Sequence, residues 1–155
     1  MKGNDKVIEE LNDELADELT AVSQYMVHSS MCENWGYGKL HQVIEKRAID
    51  EMKHAEKLIE RILFLEGTPV VTKLNKMVIG SNVEDQLKND KISEIGAIKA
   101  YNTSVRLATD QGDYGTAELF KCNLKDEEAH LDWLEAQLDQ IDQMGIQNYL
   151  VEKVA

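Results

Sequence analysis

One pattern occurs twice in this chain at a fixed offset, and few folds can satisfy it. Glu51-x-x-His54 recurs 76 positions later as Glu127-x-x-His130. At the same offset Glu18 recurs as Glu94 and Tyr25 as Tyr101, and Asp50/Asp126, Ala21/Ala97, Leu58/Leu134 and Gly36/Gly112 share the register. A single Glu-x-x-His carries little information in a chain with 29 acidic residues. A half-chain that reproduces Glu, then Tyr, then Glu-x-x-His is an internal duplication. In a helix, residues three apart lie on one face, one turn from each other, so each Glu-x-x-His pair can reach a single point. Four carboxylates and two imidazoles related by pseudo-twofold symmetry make a binuclear metal site.

The rest of the sequence supports a helical frame for such a site. One Pro and 6% aromatic residues, with abundant Ala, Leu, Glu and Lys, argue for helices throughout. A length of 155 residues is expected to form one domain with a real core. The formal charge of −12 argues against nucleic acid as a partner, because phosphate binding needs clustered Lys and Arg. That charge is either a solvated surface or an electrostatic draw for cations. Cys32 and Cys122 stand far apart, which is no disulfide framework and suits a reducing compartment. No apolar leader follows Met1, and no run of about 18 apolar residues occurs, so a soluble cytosolic protein is expected.

Glycines divide the chain into four long helices, roughly 5–35, 39–66, 83–111 and 115–144, with a short fifth at about 146–153. Asn82 or Ser81 is the expected N-cap of the third. Gly96 interrupts that helix against propensity, either because another helix approaches closely beside Glu94 or because a glycine is tolerated there. Short connections make the first and second helices one antiparallel hairpin and the third and fourth another. The connection 67–82 is long enough to run along much of a bundle about 40 Å long. It leaves the second and third helices parallel. The expected fold is all-α: a four-helix bundle of two antiparallel hairpins with a long crossover, plus a short C-terminal fifth helix.

On the second helix Leu40, Ile44, Ala48, Ala55, Leu58, Ile62 and Leu65 line a core face, which Glu51 and His54 interrupt. Polar groups there are costly unless paired or ligated. Four carboxylates offset two divalent ions, so a filled site is neutral and can be buried. Oxidation to two Fe³⁺ balanced by one oxide also leaves it neutral. Carboxylate and imidazole ligands suit Fe, Mn and sometimes Zn, and the lack of thiolates argues against structural zinc. The constellation matches the one known from ferritin-like di-metal carboxylate proteins. Tyr25 and Tyr101, seven residues beyond Glu18 and Glu94, share their faces. Each either hydrogen-bonds a ligand carboxylate, supplies an electron, or is a core tyrosine with a satisfied hydroxyl; Tyr25 is the stronger functional candidate. His28 and His41 lack a Glu three positions earlier and read as ordinary helix residues.

Essentially the whole chain resembles the bacterioferritin family. The specific marks are Asn34-Trp35-Gly36, Asp50-Glu51-Met52-Lys53-His54-Ala55, the segment Glu60 to Gly67, the segment Asp126 to Glu135, and Met144-Gly145-Ile146-Gln147-Asn148-Tyr149-Leu150. The resemblance implies a hollow shell of 24 identical subunits that stores ferric mineral. It implies a ferroxidase centre in each bundle, holding two Fe per subunit, and haem b shared between two subunits at twofold interfaces. By position, Glu18, His54, Glu94 and His130 would be terminal ligands, with Glu51 and Glu127 bridging. Met52 and its twofold mate would ligate the haem iron. Met52 lies about 100° around the helix from Glu51, and Ile49, Met52, Ile59 and Leu63 form a second apolar stripe, which otherwise reads as interface packing. Leu19, Val22, Ser23 and Met26 match the family's haem-pocket region, whereas Glu45 is a polar choice nearby. Lys46 stands where some members carry a cavity-facing histidine, which leaves an inner-surface relay through Lys46 and Asp50 in doubt.

The expected activity is oxidation of Fe²⁺ by O₂ or H₂O₂ followed by mineral storage, with an electron-donor protein as a candidate partner for iron release. The alternative is a di-iron oxidase or peroxidase that stores nothing, which would not need the Met52 stripe or the fifth helix. A helical assembly module whose polar seam only sets specificity is a third reading. The in-register duplication of ligands favours it least.

Overall fold

The computed structural model describes residues 1–154. Its helices are α1 (Asp5–Asn34), α2 (Gly38–Phe64), α3 (Val83–Asp110), α4 (Tyr114–Met144) and α5 (Ile146–Val151). A side-chain cap starts three of the four long helices, α2 having none. Asn4 accepts from the backbone of Lys6 and Val7, Asn82 caps Asp85, and Asp113 caps Thr116. The duplication is visible in the turns. Gly36 and its counterpart Gly112 both have positive φ, 86° and 73°, a conformation a glycine adopts without strain. After each, a backbone N–H reaches back five residues, from Tyr37 to Cys32 and from Asp113 to Ala108.

Two termini fall two residues short of expectation and the others lie within one. α2 ends at Phe64 because Glu66, not Gly67, turns left-handed (φ 61°) and closes the helix. Gly67 is needed for space instead: a Cβ there would meet Ile8 Cγ2 at 2.7 Å. α5 stops at Val151, where Lys153 N–H bonds back to Leu150 as a turn. The close helix approach at Gly96 is absent, since a Cβ there would meet nothing within 4 Å. Gly96 is a tolerated glycine on an exposed face.

α1 packs along α2 and α3 along α4. Cross-bundle contacts fix the remaining directions. Tyr25, Glu18 and Glu14 on α1 meet Glu94, Tyr101 and Ser104 on α3, so these helices are antiparallel. Arg61 and His54 on α2 meet Thr116 and Asp126 on α4 likewise. α2 and α3 therefore run parallel. The crossover follows α1 and is held by a polar row on it: Asn12 binds Thr68 and Val70, Thr20 binds Asn75, Gln24 binds Val78, and His28 accepts from Gly80 N–H at 3.1 Å. These side chains satisfy an extended backbone that has no strand partner. Among the described residues no helix is long and apolar enough to cross a membrane.

The core is two apolar clusters with a polar layer between them. Leu11, Leu15, Leu58, Ile62, Tyr101 and Phe120 belong to one; Tyr25, Leu40, Ile44, Leu87, Leu134 and Tyr149 belong to the other. Gly80 seats the crossover against the second, with its would-be Cβ 2.3 Å from the backbone nitrogen of Gln86. Gly80→Ala should therefore cost about 1–3 kcal/mol through overpacking. Thermal denaturation reads this as a lowered Tm, and an unchanged Tm would show that the crossover is not seated there.

Candidate metal centre

The six repeated residues meet in the polar layer. Glu18, Glu51, His54, Glu94, Glu127 and His130 are each at most 6% exposed. α1 and α3 contribute one glutamate each, and α2 and α4 contribute Glu-x-x-His. Two overlapping groups form, Glu18–Glu51–His54–Glu127 and Glu51–Glu94–Glu127–His130, each able to hold a metal ion. Glu51 and Glu127 belong to both. The His54 and His130 rings stack with centroids 6.4 Å apart.

Both imidazoles turn Nδ1 inward. His54 Nδ1 lies 3.1 Å from Glu127 and 3.3 Å from Glu18; His130 Nδ1 lies 3.0 Å from Glu51 and 3.5 Å from Glu94. None of these contacts has hydrogen-bond alignment. Both Nδ1 atoms and one oxygen each of Glu18, Glu51, Glu94 and Glu127 are buried without a hydrogen-bond partner. Orphaned buried lone pairs that converge on common points fit divalent cations, because a cation satisfies several at once where a hydrogen bond satisfies one.

A carboxylate holds the outer side of the His54 ring, and another faces that of His130 from beyond hydrogen-bond distance. His54 Nε2 is 2.9 Å from Asp126 Oδ2, and His130 Nε2 is 3.6 Å from Asp50 Oδ2. A carboxylate behind an imidazole fixes its tautomer and directs the other nitrogen inward. These aspartates were legible as repeat positions preceding each Glu-x-x-His, but this role was not. Each serves the histidine of the other half. The tyrosines also cross over: Tyr25 donates to Glu94, and Tyr101 donates to Glu18 while accepting from Asn123. This selects the hydrogen-bonding reading of both tyrosines and places them beside the glutamates of the opposite helix.

Protonation follows from crowding. Burial, reinforced by Glu51, raises Glu18 well above the carboxylate range, and burial with Glu94 does the same to Glu127. Burial would raise Glu51 too, but contacts from Glu18, His130, His54 and Glu127 outweigh it and hold Glu51 low. Burial opposes charge on both imidazoles, yet Glu127 and Glu18 raise His54, and Glu51 and Glu94 raise His130. Burial, with Glu94 and Glu18 respectively, pushes the Tyr25 and Tyr101 phenols up, so both remain donors.

The residues outside this layer divide clearly. Met52 is 44% exposed although Glu51 beside it is buried, and Met26, Ile49 and Leu63 are exposed with it. Ile59 instead packs partly into the core. His28 is buried with Nδ1 2.9 Å from Asp90, and His41 lies 3.2 Å from Glu45. Neither approaches the six. Cys32 is buried and Cys122 exposed, and they are not bonded to each other.

The ferritin-like domain family matches residues 8–144. A bacterioferritin of Brucella melitensis is 43% identical over 149 residues, covering 96% of this chain and 92% of that protein. One from Rhodobacter capsulatus is 41% identical over 155 residues, covering 100% and 96%. One from Mycobacterium avium is 36% identical with coverage of 100% and 98%. A polar six-residue layer in a ferritin-like bundle, matched end to end by these relatives, leads to one conclusion: the chain belongs to the bacterioferritin family.

Proposed function

We propose that this protein stores iron in the cytoplasm: it oxidises Fe²⁺ at the six-residue centre and deposits ferric mineral inside a shell of 24 copies. What carries the reading is the pair of inward, orphaned Nδ1 atoms facing four carboxylates. Fe²⁺ is the substrate, with Glu18 and His54 on one ion, Glu94 and His130 on the other, and Glu51 and Glu127 shared. Each Fe²⁺ gives up one electron. The pair reduces O₂ to H₂O₂, or H₂O₂ to two waters, with uptake of two protons in either case. The flanking apolar clusters keep bulk water out, so the carboxylates face the ions rather than solvent. Tyr25 and Tyr101 orient Glu94 and Glu18, Asp126 holds the His54 imidazole, and Asp50 faces that of His130.

Haem b is proposed between two copies, where Met52 of each would hold it. The fit rests on an exposed thioether within an apolar band that also includes Met26 and Ile49. When bound, the haem would supply a one-electron path for reductive iron release from an electron-donor protein. Met52→Ala should lose the haem absorption bands while Fe²⁺ oxidation stays within about twofold; stoichiometric haem in that variant would sink the ligand assignment.

Metal binding must displace the protons that crowding places on Glu18, Glu127, His54 and His130. These groups are raised, so protons compete with the metal more strongly than usual and affinity should fall as pH is lowered. An ordinary imidazole, with pKa about 6.5, would release well under half a proton at pH 7. Anaerobic Fe²⁺ titration, read by calorimetry in buffers of different ionisation enthalpy, should show more protons released per chain than ordinary imidazoles would supply. Release near zero would exclude this ligand set.

Aerobic Fe²⁺ added to metal-free protein tests storage directly. Gel filtration should recover far more than two irons per chain in a very large particle. Oxidation that stops at two per chain in a small oligomer would instead establish the non-storing di-iron oxidase. The double variant Glu127→Ala/His130→Ala should assemble but lose fast oxidation, by about a hundredfold or more; an unchanged rate would remove the centre from the mechanism.

A further inference from the structure

Beside the six-residue layer, a cavity of about 260 Å³ lies between α1 and α3 under the crossover residues Asn75 and Lys76. Glu18, Glu51, Glu94 and Glu127 form one part of its wall, and Glu14 and Asp17 extend it along α1. Glu14 is 2% exposed, and nothing in the six-residue centre uses it. Its Oε1 is 2.7 Å from Ser104 Oγ, but its Oε2 is buried with no hydrogen-bond partner.

The surroundings of Glu14 hold too few protons. Ser104 Oγ also lies 2.6 Å from Glu10 Oε1 and 3.0 Å from the Ala100 carbonyl. One hydroxyl hydrogen thus faces three acceptors. Asp17 is differently placed, because Asn75 Nδ2 donates to it at 2.5 Å. Lys76, exposed on the crossover, is the one basic residue lining the cavity. Burial first, and then Asp17, Glu10 and Asp13, push Glu14 up to about 8. Such a carboxyl either keeps a proton or is offset by a cation, and this one lines a space continuous with a divalent-metal centre. The space has room for an ion that keeps several waters, since each water occupies about 30 Å³.

We propose that Glu14, with Ser104 beside it, forms a third divalent-cation position in this cleft, one helical turn from Glu18, where incoming Fe²⁺ is held before it enters the binuclear centre. The inference rests on the binuclear reading. Glu14 and Glu18 are four residues apart, about 6 Å along the helix axis, so an ion at Glu14 moves to Glu18 by exchanging one carboxylate for the next. Glu14 returns to its protonated form once the ion has passed. The cation enters and leaves as Fe²⁺, so no electron transfer is required.

Crystals of the assembled, metal-free protein soaked in Mn²⁺ provide the test through anomalous difference maps. Wild type should show three sites per chain, two among the six residues and a third within coordination distance of Glu14 Oε2. Glu14→Gln, nearly identical in shape, should keep the pair and lose the third. A pair with no density at Glu14 in wild type would overturn the third position and leave Glu14 as a protonated core acid. A third site that survives in Glu14→Gln would overturn the role of that carboxylate. Absence of the pair itself would overturn the binuclear reading, which separates the two failures.

Discussion

The arrangement of this bundle depends on burying a layer of ionisable side chains at its centre. Four carboxylates and two imidazoles occupy the layer between the apolar clusters. Isolated ions in such a place carry desolvation penalties of several kcal/mol each. Crowding favours protons on Glu18, Glu127 and both imidazoles, which offsets part of this. Six buried polar atoms of the layer still have no hydrogen-bond partner. Fully burying a Leu or Ile contributes about 1.5–3 kcal/mol, and the two clusters supply many such side chains. Packing therefore holds the layer in place, and the layer in turn is preorganised for cations.

Rigidity around the layer comes from crossed pairs rather than from within either hairpin. Tyr25 reaches Glu94 and Tyr101 reaches Glu18, while Asp126 and Asp50 each stand behind the histidine of the other half. Each such contact ties the two halves of the duplication together at the centre. Removing one tyrosine would loosen a ligand carboxylate on the far helix. The functional groups thus double as the interface between hairpins, whose direct contacts across the bundle are otherwise sparse compared with those inside each hairpin.

Much of this was legible from two periods in the sequence. The 76-residue offset identified Glu18, Glu51, His54, Glu94, Glu127 and His130, and all six converge. The helical period identified the α2 core face from Leu40 to Leu65, all of it buried. What periodicity missed were contacts between residues with no fixed spacing. The row on α1 that holds the crossover, from Asn12 through Thr20 and Gln24 to His28, reads in the sequence as ordinary polar surface. Its meaning lies in a backbone segment of no regular structure, whose donors needed side-chain partners. The cross-pairing of Asp50 and Asp126 was hidden for a similar reason. Their repeat positions were visible, but which histidine each would serve depends on how two helices cross.

Glu14 shows the limit of reading by duplication. Its position in the second half is Asp90, which is also buried and also leaves one oxygen without a partner. The two halves spend that position differently. Asp90 accepts from Gln24 and contacts His28, both on α1, so it stabilises the helix that carries the crossover. Glu14 has only the overcommitted Ser104 hydroxyl and lines the open cleft. The pseudo-twofold axis therefore holds at the six ligands and fails one turn away. That asymmetry has a physical cause: a single crossover covers one side of the bundle, packing Gly80 against the His28 end while leaving a cavity beneath Asn75 and Lys76. A duplicated bundle closed by one connection must have two unlike approaches to its centre, and the approach beside Glu14 is the one with space for an ion.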